Sequence, residues 1–131
     1  MQRELKFRAW DKLAERFIKC DEVYQTRYIL SLKGEFHNLQ NGSGGNEYVV
    51  QQWTGTKDKN GKDIYEGDIL AADHDGGEGE ANIGVVFHAA GTFMIDGNGP
   101  FYDHVYGISP DVLDSHSVIG NKFENPELLE K

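Results

Sequence analysis

Residues 53–70 constrain the fold of this 131-residue chain more than any other stretch. Asn60 and Gly61 form the dipeptide that most readily takes the two positive-φ positions of a tight hairpin turn. Trp53 and Tyr65 flank that turn, so the pattern predicts that they pack against each other from opposite strands. The stretch therefore predicts an antiparallel hairpin and favours a β fold.

The second half of this stretch predicts one strand, over residues 64–72, with a bend or bulge at Gly67. Asp68 follows that glycine, at a place where an aspartate side chain commonly accepts hydrogen bonds from nearby backbone N–H groups. Glu66 and Asp68 are two residues apart, which on a strand places both carboxylates on one face. Without a cleft, such a pair does not indicate acid–base catalysis, so a structural role is predicted.

The glycine content predicts many turns throughout the chain. There are 16 glycines but only three prolines among 131 residues, and the glycine share is well above the usual ~7%. Further strands are predicted at residues 5–10, 17–20, 28–32, 36–37, 48–53, 83–88, 92–96 and 115–120. A short terminal helix is predicted to begin at Pro126, with Asn125 as its N-cap. Together these patterns predict a mainly β fold.

The glycine-rich segment 41–46 is the predicted boundary within the chain. Residues 1–46 are predicted to form an N-terminal subdomain of antiparallel β-hairpins, and residues 47–131 a small β-barrel. Because the segment between them is short, we expect the two parts to pack together, and one compact domain is the alternative.

Charge is distributed unevenly along the sequence. Residues 1–60 hold ten Lys or Arg and eight Asp or Glu, whereas residues 61–131 hold three Lys and fourteen Asp or Glu. No basic residue stands between Lys62 and Lys122, so the second half is not suited to bind nucleic acid by neutralising phosphates. We expect a solubilising acidic surface, and the alternatives are a face that docks on a basic partner or one that mimics nucleic acid.

The sequence offers no motif that carries chemistry. The single Cys20 excludes an internal disulfide and is predicted to be a structural thiol. The acidic loop at residues 73–80 opens like a calcium loop but lacks the later ligands of an EF-hand. His88 and His116 stand on predicted strands, where a structural or solvent-facing role is expected, although the two could meet in space. With no nucleophile elbow, phosphate loop or zinc spacing, we expect no enzyme activity, no metal and no cofactor.

The hydropathy pattern indicates a soluble protein. The N-terminus lacks the long apolar core of a signal peptide, and no apolar run reaches the length needed to cross a membrane. We therefore expect a cytoplasmic protein with no membrane partner.

Three segments of the sequence have the pattern of a known family. They are Lys6-Phe7-Arg8-Ala9-Trp10-Asp11, residues 52–69 (Gln-Trp-Thr-Gly-x-Lys-Asp-Lys-Asn-Gly-Lys-x-Ile-Tyr-Glu-Gly-Asp-Ile) and residues 118–129 (Val-Ile-Gly-Asn-x-Phe-Glu-Asn-Pro-Glu-Leu-Leu). With these segments the chain resembles the YopX protein family of phages and prophages. The segments span nearly the whole chain in the order of the family. The resemblance implies a mainly β protein whose second half is an SH3-like barrel, and it transfers no catalytic residue and no cofactor.

The resemblance and the residues together predict a phage or prophage accessory protein in the cytoplasm of a bacterial host cell. We expect it to be non-enzymatic, to act through protein contacts with an unknown partner and to form a homo-oligomer. The alternative is nucleic-acid binding through the N-terminal half, which is a weak analogy with other small barrels. The cations that would carry such binding are Arg3, Lys6, Arg8, Lys12, Arg16, Lys19 and Arg27.

Overall fold

The computed structural model describes residues 4–19, 28–44, 47–72, 83–97 and 105–129. The strands are β1 (Phe7–Asp11), β2 (Arg16–Lys19), β3 (Tyr28–Leu30), β4 (Phe36–Asn38), β5 (Tyr48–Lys57), β6 (Asp63–Tyr65), β7 (Asp68–Ala72), β8 (Ile83–Ala89), β9 (Thr92–Gly97), β10 (Val105–Gly107) and β11 (His116–Asn121). Helix α1 spans Pro110–Ser115, and a short 3₁₀ helix spans Pro126–Leu129. The predicted mainly β fold with a short C-terminal helix is confirmed.

The first of two compact units comprises residues 1–52. In it β1 pairs antiparallel with β2 on one side and with the first part of β5 on the other, while β3 and β4 form a separate hairpin. Alternation along the strands places Ala9 and Ile18 on one face of the sheet and the buried rings of Trp10 and Phe17 on the other. The buried centre and the rings packed against it are Ala9, Ile18, Tyr48, Tyr28 and Phe36.

The second compact unit comprises residues 53–131. The last part of β5 pairs with β6, and five further strands form an antiparallel sheet in the order β10-β9-β8-β7-β11. Its core residues are at most 1% exposed, and they are Ile64, Leu70, Val86 and Ile95. The chain passes from the first unit to the second between Gln52 and Trp53. The division into residues 1–46 and 47–131 and the SH3-like form of the barrel stay predictions.

The turn between β5 and β6 differs from the prediction in its geometry. Gly61 has a positive φ of 82°, but Asn60 does not. The prediction of a two-residue turn with two positive φ values is therefore wrong. The connection instead covers residues 58–62 and is closed by a hydrogen bond from the Asp58 N–H to the Lys62 carbonyl at 2.8 Å. The Asp58 side chain favours this longer turn, because it accepts hydrogen bonds from backbone N–H groups inside it. Trp53 and Tyr65 stand opposite each other in the strand register, as their places on the two sides of the turn predicted. The packing of their rings against each other stays a prediction.

Gly67 lies between two strands and does not bend a single one. With a φ of 86° it separates β6 from β7, where the sequence predicted one continuous strand over residues 64–72. Its N–H donates to the Val86 carbonyl at 2.7 Å, and its own carbonyl accepts from the Lys122 N–H at 2.9 Å. A left-handed conformation with both backbone groups engaged favours glycine at this place.

Helix α1 was not predicted. Ser109 is its N-cap, with the Val112 N–H donating to the serine hydroxyl oxygen at 3.4 Å, and Pro110 follows at the first helical position. Ser-Pro is a helix-start signal, but six residues are too few for a helical period to be visible in the sequence. Within the described residues, no helix has the length and apolar character needed to cross a membrane.

Candidate functional site

An apolar cleft in the first unit is the best candidate for a functional site. It encloses about 230 Å³ and is lined by the start of β1, the end of β2 and the whole of β3, with Phe36 and Val50 completing the wall. All of its lining residues belong to residues 1–52, so one unit builds the cleft by itself.

Strand register explains the apolar floor of this cleft. Ala9 is paired with Ile18 on one side and with Val50 on the other, so these three side chains leave the sheet on the same face. The ring of Tyr28 stacks on that of Phe36 with 5.3 Å between centroids, inside the hairpin of β3 and β4. The Phe36 ring also lies 4.9 Å from that of Tyr48 on β5, and this contact holds the hairpin on the sheet.

The mouth of the cleft exposes large apolar side chains. Leu5 is 51% exposed and Ile29 is 47% exposed, although both line a cleft whose floor residues Ala9 and Ile18 are buried. Partly exposed apolar groups around a concave, apolar floor are typical of a binding surface.

Three of the residues predicted to carry nucleic-acid binding, Lys6, Arg8 and Lys19, contribute to the lining of this cleft. Strand alternation nevertheless places the Arg8 and Lys19 side chains on the sheet face opposite to Ala9 and Ile18. The Arg8 guanidinium is engaged elsewhere, because its Nε donates to the Gln51 side chain at 2.9 Å and its Cζ lies 4.3 Å from the centre of the Phe17 ring. The structure does not place the other described cations, Lys12 and Arg16, in the lining. Arg3 and Arg27 lie outside the described residues.

Asp58, in the distinctive stretch 53–70, is a structural residue rather than a site. It is 7% exposed, and its carboxylate accepts hydrogen bonds from the backbone N–H groups of Asn60 (2.8 Å), Lys62 (2.9 Å) and Val118 (2.8 Å). The last of these joins the turn to β11, sixty residues further along the chain. The carboxylate therefore fixes both the turn and its contact with the edge of the sheet.

The ionisation of Asp58 is tied to this geometry. Burial raises the pKa of the carboxyl by removing water, whereas hydrogen bonds from the Val118, Lys62 and Asn60 N–H groups and the charge of Lys62 lower it. The lowering contributions prevail, so the pKa of Asp58 lies below its ordinary value of 3.8. The folded state therefore favours the charged carboxylate.

We expect this shift to make stability fall in acid. Because the folded pKa is the lower one, the contribution of Asp58 is fully present above the unfolded pKa and is lost as the pH falls through the folded pKa. In urea unfolding, the free energy of unfolding of wild type should exceed that of Asp58→Asn by a constant amount above about pH 5. This difference should become smaller as the pH falls below about 3.9. A gap that persists unchanged at about pH 2.5 would contradict the assignment.

Asp68 confirms the structural role predicted for it. The carboxylate is 2% exposed and accepts a hydrogen bond from the Tyr65 N–H at 2.8 Å and one from the Asn121 side chain at 3.3 Å. Asn125, the predicted N-cap, directly precedes the 3₁₀ helix. Its side-chain oxygen accepts a hydrogen bond from the Asn121 N–H at 3.1 Å, which the prediction did not include. Carboxylate and amides link the start of β7 to the C-terminal 3₁₀ helix.

The two histidines on strands have different surroundings. His88 is exposed on β8, with its ring 5.1 Å from that of Phe93. His116 is 6% exposed; its Nε2 lies 3.2 Å from the Tyr106 hydroxyl and its Nδ1 lies 3.0 Å from the Val112 carbonyl. Both ring nitrogens of His116 thus hold β10 and α1 against β11, which is a structural role.

The described residues offer no group of His, Cys, Asp and Glu that could hold a metal ion. The acidic loop 73–80 and Cys20 lie outside the described residues. The predictions made for them stay predictions.

Sequence reasoning did not find the cleft, and it did not single out Leu5 or Ile29. The signal that was available is the alternation of apolar side chains at Leu5, Phe7 and Ala9, which predicts one apolar face on β1. Alternation cannot say whether such a face is covered completely, since that depends on how the hairpin of β3 and β4 lies over it.

Residues 6–130 match the protein family described as YopX protein. Among solved structures, the chain is similar to protein EF1440 from Enterococcus faecalis, with 31% sequence identity, a TM-score of 0.69 and coverage of 98% of this chain and 100% of that chain. It also has the fold of the yopX protein from Bacillus subtilis, with 22% identity, a TM-score of 0.64 and coverage of 96% of each chain. A comparison with curated proteins found no match.

Proposed function

Because the chain belongs to the YopX family, we propose that it is a phage or prophage accessory protein that acts through protein contacts and has no enzymatic activity. Its contact surface is the cleft of the first unit, and it works in the cytoplasm of a bacterial host. The single observation that carries this proposal is the partial exposure of Leu5 and Ile29 at the mouth of an apolar cleft.

The distribution of polar groups supports a contact protein over an enzyme. Asp58, Asp68 and His116 are buried in the second unit, and their side chains form hydrogen bonds with backbone groups and neighbouring side chains. A catalytic group has to reach a substrate through a cleft, whereas these side chains hold strands and turns together. The cleft of the first unit is lined mainly by apolar side chains, which suits the binding of another protein.

Self-association is part of the proposal, because further large apolar side chains of the first unit are exposed. Leu13 lies in the β1–β2 turn with 93% relative exposure, and Leu39 is 59% exposed. Exposed apolar side chains gain free energy when a second copy or another partner covers them.

A second candidate function is nucleic-acid binding by the first unit. It is favoured by Lys6, Arg8 and Lys19, which lie near one another because β1 pairs with β2 and Arg8 stands opposite Lys19. The commitment of the Arg8 guanidinium to Gln51 and Phe17 weakens this candidate.

A matched pair of variants tests the contact surface. Ile29→Asp places a charge at the mouth of the cleft, while Leu32→Asp places the same charge on a fully exposed residue outside the lining. Because both side chains are substantially exposed, both variants should fold. We expect Ile29→Asp to lower partner recovery from a lysogenic host, or self-association in light scattering, by about tenfold, a loss of about 1.4 kcal/mol.

Leu32→Asp is the control and should recover partners and associate as wild type does. Equal behaviour of the two variants in both measurements would count against the cleft as the contact surface. Salt-dependent binding of DNA or RNA that Ile29→Asp leaves intact would favour the second candidate.

A further inference from the structure

Asn60 and Gly61 have a chemical reactivity that the turn itself does not use. Asparagine is among the thermolabile residues, and the backbone nitrogen of the next residue can attack its side-chain amide carbon. Such an attack within one molecule needs no encounter with a second reactant. Glycine at the next position leaves the approach open, because it has no Cβ atom beside the nitrogen. The sequence holds three such Asn-Gly pairs, at residues 41–42, 60–61 and 98–99, and the structure describes the first two.

The two described pairs are held in different ways. Asn60 and Gly61 are exposed to water in the connection between β5 and β6, and the Asn60 backbone N–H donates to Asp58 Oδ1 at 2.8 Å. At Asn41 the side-chain amide is itself engaged, because its oxygen accepts from the Ser43 N–H at 2.9 Å and lies 2.6 Å from the Ser43 hydroxyl. The Asn60 pair is therefore controlled by the backbone of its turn.

The closed turn engages the nitrogen that would attack. The Gly61 N–H donates to the Asp58 carbonyl at 3.0 Å, and the Asp58 N–H donates to the Lys62 carbonyl at 2.8 Å. The Asp58 carboxylate adds bonds from the Asn60 and Lys62 N–H groups. An attacking nitrogen has to lose its proton and move towards the amide carbon of Asn60, and both changes break its bond to the Asp58 carbonyl. The reaction therefore requires that the turn first opens.

We propose that Asn60 is a site of spontaneous deamidation and that opening of the turn at Asp58 sets its rate. In the open turn the Gly61 nitrogen bonds to the side-chain carbonyl carbon of Asn60, and ammonia leaves with the nitrogen's proton. Water then adds to either carbonyl of the cyclic imide and reopens the ring, which leaves an aspartate or an isoaspartate at position 60. One water molecule is consumed and one ammonia is released, so the step needs no oxidant, reductant or cofactor. The site lies in the second unit and is separate from the proposed contact surface.

The population of the open turn sets the rate because the two processes differ in speed. Local opening takes microseconds to seconds, whereas loss of ammonia from an asparagine is far slower. Under this condition the chemistry follows the equilibrium population of the open form. A tenfold increase in that population corresponds to a loss of about 1.4 kcal/mol in the stability of the closed turn. The Asp58 carboxylate thus protects Asn60 through the hydrogen bonds that it accepts.

The product weakens the turn that delays its formation. A new carboxylate at position 60 stands close to that of Asp58, whose Oδ1 already lies 2.8 Å from the Asn60 backbone nitrogen, and like charges disfavour each other. An isoaspartate also adds a carbon to the main chain, which displaces the N–H groups that Asp58 binds. Because the same carboxylate accepts from the Val118 N–H at 2.8 Å, conversion loosens the link between the turn and β11. A transient opening of the turn is thereby made permanent.

The test compares conversion of Asn60 in the native chain with that in the chain unfolded by guanidinium chloride, at the same neutral pH and temperature. Cleavage after Glu47 and Glu66 releases a fragment in which Asn60 is the only asparagine, and mass spectrometry follows its conversion. In water enriched in heavy oxygen, the product should carry the label at position 60. We expect conversion to be at least about tenfold slower in the native chain.

Variants decide whether Asp58 controls the reaction. Asp58→Ala should speed the native conversion of Asn60 by about tenfold or more. Asp58→Asn keeps one side-chain oxygen as an acceptor, so it should give a smaller increase, and it replaces Asp58→Ala if that variant does not fold. Lys57→Ala, which removes the exposed ion pair with Asp63, is the matched control in the same hairpin and should leave the rate unchanged. Conversion at Asn41, in the first unit, is the internal control and should be the same in all of these chains.

Four results would overturn the inference. They are a lack of conversion at Asn60 in the unfolded chain, conversion as fast in the native chain as in the unfolded one, equal rates in wild type and the Asp58 variants, and equal acceleration of Asn41 and Asn60 by Asp58→Ala. The last result would assign the reaction to opening of the whole chain rather than of this turn. Faster hydrogen exchange at the Val118 amide in the converted form than in the unconverted form would support the loosening of β11.

Discussion

Gly84→Ala is expected to lower the free energy of unfolding by about 2 to 3 kcal/mol, as overpacking of a filled core does. A Cβ atom at this position of β8 would lie 2.4 Å from Cγ2 of Ile95 and 3.0 Å from the Asp96 carbonyl oxygen. Ile95 is completely buried, so its side chain has no space into which it could move. The loss should appear as a lower urea midpoint with an unchanged slope.

Gly107→Ala is the matched control for this change. Gly107 lies on β10 in the same sheet, and a Cβ atom there would meet nothing within 4 Å. We expect its effect to stay within about 0.5 kcal/mol. Similar midpoints for the two variants would show that β8 and β9 are not packed as closely as described.

Asp58→Ala should cost about 3 kcal/mol, because three backbone N–H groups lose one charged acceptor at once. The Val118 N–H is the most affected, since it joins β11 to the turn across sixty residues of sequence. Thermal unfolding should show a decrease in Tm of about 10 °C. Hydrogen exchange should show faster exchange at the Val118 and Lys62 amides than elsewhere in the sheet.

Lys57→Ala is the control for the same hairpin. It removes the ion pair with Asp63, whose Nζ to Oδ1 distance is 2.9 Å but whose lysine is 58% exposed. An exposed pair contributes little, so we expect a loss of less than about 1 kcal/mol. If Lys57→Ala proved as harmful as Asp58→Ala, the stability of this hairpin would come from surface charge rather than from the buried carboxylate.

Much of the fold could be predicted from local patterns. The predicted strands that became β8 and β9, and the hydrogen bond from a backbone N–H to Asp68, follow from patterns that a few neighbouring residues decide. The turn at Asn60 shows the limit, because Asp58 competes for the backbone N–H groups and favours a longer connection with one positive φ. Helix α1 was missed since six residues carry too little periodicity.

The candidate site was less accessible to sequence reasoning. Its floor depends on the pairing of Ala9 with Ile18 and Val50, and register between distant strands is decided by the whole sheet. Its opening depends on how far the hairpin of β3 and β4 covers the face of the sheet at Ala9, which no local pattern encodes. The most distinctive residues of the sequence instead build turns and strand contacts, as Asp58 and Asp68 show.

The central claim is that the cleft of the first unit makes the protein contacts, while the distinctive stretch 53–70 serves the fold. Partner recovery per folded molecule, measured side by side for Ile29→Asp and Asp58→Asn, tests it most directly. We predict that Ile29→Asp keeps the wild-type Tm and loses recovery about tenfold, whereas Asp58→Asn lowers Tm and keeps recovery. The opposite result, in which folded Asp58→Asn loses its partner and Ile29→Asp retains it, would contradict the account.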